Sequence, residues 1–181
     1  IVAAPTAGAC GVLPAVLLPY GRRYELSDDA LIKALYVASG FGAVIAQRAS
    51  ISGAEAGCQA EIGTAAAMAA AALVYLHGGS AVQMANAAAM ALKNMMGLVC
   101  DPVAGLVEVP CIKRNAAGAM NALCAAEMAL AGIESRIPPD EVIDAMAAVG
   151  AALPSSLRET GMGGIAASPT AVKFREEFFG Q

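Results

Sequence analysis

From Ile62 to Leu92 the chain carries no Asp, Glu, Lys or Arg. An element without charge on any face must be covered on all faces, so this stretch restricts the fold more than any other. Two environments can cover it: a lipid bilayer, or other protein. A spanning helix needs about 20 mostly apolar residues. Here His77-Gly78-Gly79-Ser80 interrupts the run. Its halves are mainly Ala with Thr, Asn and Gln, and few Leu, Ile, Val or Phe drive insertion. The expectation is two central helices, about 60–77 and 80–96, buried in protein on all sides, with no membrane span.

Alanine is about a quarter of the 181 residues and aromatics are 4%. Alanine is the best helix former and a poor strand former. The expected fold is all-α: one compact domain over 1–181 with about six to eight Ala-rich helices and irregular Cys-bearing loops. The remaining helices are read over about 8–20, 28–48, 112–132 and 138–149. Ser27-Asp28-Asp29 supplies a cap and first-turn acids for the second of these. Gly40 and Gly42 within it signal a close helix contact or a bend. Pro14 is expected in a first turn or at a kink. The net charge of -4 gives no basic patch, which argues against a nucleic-acid surface.

The most polar and least helical segment, 97–111, holds Cys100 and Cys111. Cys58 falls just before a helix start, Cys111 at one, and Cys100 just after a helix end. A helix N-terminus lowers a thiol's pKa and favours the thiolate that binds metal. These three sit in Gly/Pro-flanked irregular segments, whereas Cys124 falls mid-helix and reads, with Cys10, as a small buried hydrophobe. His77, the only histidine, reads as a helix C-cap. The residues by themselves leave open a three-thiolate metal site, a zinc site or core cysteines. Without secretory signals the compartment is expected to be reducing, and disulfides are not the default. The start inside an apolar run, without Met, suggests a piece lacking an N-terminal part.

Four segments carry a resemblance: APTAGACGVLPAVL at 4–17, ISGAEAGCQAEIG at 51–63, CDPVAGLVEVPCIKRNAAGAMNA at 100–122 and SLRETGMGGIAASPTA at 156–171. With them the sequence resembles the iron–sulfur-dependent L-serine dehydratases (L-serine deaminases) of bacteria. The resemblance implies that Cys58, Cys100 and Cys111, 42 and 11 residues apart, hold a [4Fe-4S] cluster whose fourth iron is open. That iron would act as a Lewis acid on the serine hydroxyl and be lost in air. The implied reaction is dehydration and deamination of L-serine to pyruvate and ammonia; related eliminations on cysteine or threonine, or a non-catalytic helical module, are the alternatives. The tail resembles the two-chain type, in which this α chain pairs with a β chain, and no tail cysteine is carried over as a ligand. An oligomer in the cytoplasm is expected. Candidate substrate contacts are Thr6, Gly8, Ser52, Glu55, Lys113, Arg114 and Asn115. The catalytic base stays unassigned; a missing N-terminal part or the β chain would supply it.

Overall fold

The computed structural model describes residues 2–180. Among the described residues eight α-helices follow one another: α1 Val12–Arg23, α2 Asp28–Arg48, α3 Gly53–Ala56, α4 Thr64–Leu76, α5 Ala81–Met95, α6 Cys111–Leu130, α7 Pro139–Ala152 and α8 Pro169–Phe179. A π-helical turn, Gln59–Gly63, runs directly into α4. Among the described residues there is no strand, only an isolated bridge between Cys100 and Arg158.

Helix α4 is the axis of the molecule. α1, α2, α5 and α6 all pack on it. Every residue from Thr64 to Val74 is buried, so the uncharged sequence is matched by cover on every face. Most of those residues are alanine, and short side chains let four neighbours approach one helix closely. The close approach is visible from the partner side: a Cβ added to Gly42 of α2 would lie 2.8 Å from Met68 Sδ. Gly40, in contrast, faces open space.

The second half of the uncharged run behaves differently. α5 is buried only from Ala87 to Leu92, while Ala81 and Val82 are exposed. The expectation that both helices are covered all round therefore holds for α4 and fails for the first half of α5. That half is held from its end and its polar side: Ser80 and Gln83 form a reciprocal capping box, and Gln83 Nε2 donates to the Ala129 carbonyl. By length and composition, Asp28–Arg48 and Gln59–Leu76 could each cross a membrane. The second is 83% buried in the domain. The first, α2, buries only Ala34, Ala38, Gly42 and Ile45, and Ile32, Leu35, Tyr36 and Val44 are exposed on it.

Ser27 caps α2 by accepting from the Ala30 N–H. His77 is the C-cap of α4, its ring 4.9 Å from that of Tyr20. α1 begins at Val12 rather than Gly8, because residues 4–11 form turns; Pro14 falls in its first turn, and Pro19 is also accommodated inside it. Cys10 is half-buried, while Cys124 is exposed rather than a core residue. It lies on α6 one position ahead of the buried pair Ala125 and Ala126.

Replacing Ala70, fully buried on α4, by Leu will destabilise the domain by about 1–3 kcal/mol, because the surrounding helices have no room to move outward. Urea unfolding followed by circular dichroism measures this.

Candidate functional site

Three chain segments that are remote in sequence meet at the amino ends of the π turn and of α6. Cys58 immediately precedes the π turn, Cys111 is the first residue of α6, and Cys100 lies in the extended segment after α5. All three thiols are buried, at 1%, 3% and 8% exposure for Cys58, Cys100 and Cys111. The Cys58 and Cys100 sulfurs and a carboxylate oxygen of Glu61 all lie within 4.8 Å of one another. Cys111 stands outside that tight group but near enough that its neighbours act on it. Burial first, then the negative groups at Cys58 and Glu61, push the Cys111 thiol up.

Each segment is fixed by polar brackets that hook backbone rather than side chains. Gln59, fully buried, donates to the Ala56 and Met146 carbonyls and accepts from the Gly97 N–H. It thus ties the Cys58 turn to α7 and to the loop leading to Cys100. The Cys100 backbone is gripped on both sides: its N–H donates to the Leu157 carbonyl and its carbonyl accepts from the Glu159 N–H. Arg158 holds that bridging segment by donating to the Ala151 and Leu153 carbonyls. Asn115 clamps α6 to the amino-terminal loop: its Nδ2 donates to the Gly8 and Cys111 carbonyls, and its Oδ1 accepts from the Gly11 N–H. Both amide hydrogens are thereby engaged.

An ion pair lies beside the thiols, its acid buried and its cation half-buried. Arg114 Nη1 lies 2.7 Å from Asp101 Oδ1, with side-chain exposures of 14% and 2%. The same nitrogen donates to the Val99 carbonyl and to Cys58 Sγ, the latter at 3.7 Å. The neighbouring Cys100 thiol first, then the Arg114 guanidinium, pull Cys58 below the ordinary thiol range against the opposing effect of burial. Cys100 is pushed up, by its hydrogen bond to Cys58 and by burial. The pair therefore divides its proton unequally, with negative charge favoured on the sulfur that faces the cation. The other Asp101 oxygen accepts from the Ile165 N–H at 2.7 Å. A Cβ on Gly164 would lie 2.2 Å from it, so only glycine fits there.

Glu61 closes the opposite wall. Thr6 Oγ1 donates to its Oε1 at 2.5 Å. A Cβ at Gly8 would stand 2.6 Å from Oε1, and one at Gly53 would stand 3.0 Å from Cys100 Sγ and 3.2 Å from Glu61 Oε2. Two glycines, one in the amino-terminal turns and one at the start of α3, make room for this carboxylate. Glu159 sits at the rim with φ 64°; burial, then Glu61, raise its carboxyl above the usual range.

Of the residues singled out in the sequence, the fold gathers Cys58, Cys100, Cys111, Thr6, Gly8, Arg114 and Asn115. It does not gather the others. Lys113 is exposed; Glu55 is exposed and accepts from Ser50 Oγ; Ser52 is half-buried and starts the short helix α3. Sequence reasoning missed Gln59, Glu61, Asp101, Arg158 and Glu159. A signal existed for three of them: Gln59 and Glu61 stand within three residues of Cys58, and Asp101 directly follows Cys100, as rare polar residues at the edge of apolar runs.

Comparison with known proteins places the chain among relatives. Residues 1–166 match the family described as serine dehydratase alpha chain. A Bacillus subtilis (strain 168) protein named probable L-serine dehydratase, alpha chain, is 57% identical over 180 residues, covering 99% of this chain and 60% of that protein. The Latilactobacillus sakei protein of the same name is 56% identical, covering 100% of this chain and 87% of that one. The L-serine dehydratase alpha chain of Peptoniphilus asaccharolyticus is 49% identical, covering 98% and 61%. The chain thus spans about 60% of the length of two of these three relatives.

Replacing Arg114 by Met leaves Asp101 buried without its cation and will cost about 3 kcal/mol of stability. The double variant Arg114→Met with Asp101→Asn will recover part of it. Denaturant unfolding of the three proteins forms the test.

Proposed function

Because the chain belongs to the serine dehydratase alpha chain family, we propose that it is the cluster-binding catalytic part of an L-serine ammonia-lyase, converting L-serine to pyruvate and ammonia. The observation that carries this reading is the convergence of three buried thiols from three segments on one site, beside a half-buried cation and a carboxylate. Thiols that served only as core would have no use for polar groups aimed at them. Here Arg114 donates to Cys58 Sγ, and Gly53 keeps the space over Cys100 Sγ clear. The donor set fits a [4Fe-4S] cluster held by Cys58, Cys100 and Cys111, which are thiolate donors of the kind such clusters take. When bound, such a cluster supplies Lewis acidity at the iron that has no thiolate, making the β-hydroxyl of serine a better leaving group.

The chain's own residues do the rest. The apolar helices around α4 exclude water, which strengthens every charge interaction in the pocket. Arg114, held by Asp101, keeps positive charge beside Cys58. Asn115 holds the 4–11 loop against the start of α6, so the Thr6–Gly8 turn forms the wall that meets substrate. Overall the amino acid loses its Cα proton and β-hydroxyl as water. The resulting aminoacrylate tautomerises to an imine, which water hydrolyses to pyruvate and ammonia. A partner β chain, or a domain outside these residues, would supply the base that takes the Cα proton, and the assembly would work in the cytoplasm.

A second reading has its own observation. Cys58, Glu61 and Cys100 are grouped tightly enough for a single ion, which fits zinc in a helical interaction module.

Anaerobic reconstitution of the chain with iron and sulfide separates the two. The expected result is a broad band near 400 nm with about four irons per chain, lost in Cys58→Ser, Cys100→Ser and Cys111→Ser while the helical spectrum persists. With the partner chain added, serine turnover will exceed that of cysteine and threonine. Zinc in place of iron, or no iron uptake, sinks the cluster and leaves the interaction module.

A further inference from the structure

Three thiolates leave one corner of a four-iron cluster without a protein sulfur. We propose that the Glu61 carboxylate is the protein donor at that corner, held in readiness by Thr6. This rests on the cluster reading above.

Four observations support it. A Glu61 carboxylate oxygen lies within 4.8 Å of both the Cys58 and Cys100 sulfurs. The carboxylate is presented by a π-helical turn, an element whose wider winding is concentrated at functional sites and which places Glu61 three residues after Cys58. Its Oε1 is tied by the Thr6 hydroxyl, while among the described residues nothing donates to Oε2, the oxygen next to Gly53 and Cys100. A Cβ at Gly8 would collide with this group, and one at Gly53 would crowd it. A side chain with one oxygen anchored and the other free, in a space cleared by two glycines, is arranged as a monodentate ligand. Carboxylate oxygen is a harder donor than thiolate. It therefore marks its iron as the exchangeable one, which a substrate hydroxyl can reach by displacing the carboxylate.

The test reads iron, not turnover. Wild type, Glu61→Gln and Thr6→Val are reconstituted without oxygen and then exposed to a chelator under mild oxidation. Iron content and electron paramagnetic resonance are followed over time. Glu61→Gln keeps the shape and the Thr6 contact but removes the charge. It should decay to a form with about three irons markedly faster than wild type. Thr6→Val, which only unmoors the carboxylate, should speed that loss about tenfold. In Cys100→Ser the whole cluster should be lost. Equal rates of fourth-iron loss in wild type and Glu61→Gln overturn the assignment. If Glu61→Gln does not fold, Thr6→Val decides in the same way. A wild-type chain that takes up no iron is a different result, and sinks the cluster reading itself.

Discussion

Close packing of small side chains around α4 is the constraint on which the other features depend. A helix that is Ala on nearly every face contributes little apolar area per residue. Its stabilisation comes from density: neighbouring backbones approach closely, and many short contacts add their dispersion energy. Such packing is unforgiving, since no long side chain can change rotamer to absorb an error. It also makes a rigid post. The π turn that carries Cys58 and Glu61 is the amino-terminal continuation of α4, so the site inherits the rigidity of the most buried element in the molecule.

Around that post the thiols are placed by a few polar side chains acting on backbone. Gln59, Asn115 and Arg158 each reach two carbonyls, and Asp101 reaches a backbone N–H as well as Arg114. Loops have no ladder of their own, and buried backbone groups must be satisfied somewhere. By meeting that need across segments, these side chains convert three flexible connections into one wall. The arrangement also keeps charge balanced: the cation that favours anionic sulfur at Cys58 is itself neutralised by an acid it cannot leave.

The architecture was legible in the chain because its strongest signals are one-dimensional. Absence of charge over 62–92, alanine content, and Gly/Pro punctuation each act locally, and α2, α4, α6 and α7 fall close to where those signals put them. What was not legible depends on phase or on distance. The exposure of α5's first half and of Cys124 is decided by which way a helix turns, and Ala-rich sequences carry too little contrast between faces to show it. Glu61 and Asp101 read as ordinary edge charges until the fold brings Thr6 and Arg114 to them. Of the substrate-contact candidates, Thr6, Gly8, Arg114 and Asn115 reached the site, while Ser52, Glu55 and Lys113 did not.

The π turn has one more consequence. An α-helix advances about 100° per residue, and a π turn fits one extra residue into a single winding. Everything before Gln59 is thus out of step with α4 by about that angle. Removing one residue from Gln59–Gly63 would restore an unbroken α-helical register, remove the local irregularity, and swing Cys58 a quarter-turn round the axis, away from Cys100 and Arg114. The locally better helix would be the one without a pocket. The extra residue therefore works as a phase offset, letting a single continuous rod serve both as the buried axle of the bundle and as a mount that points its first thiol sideways.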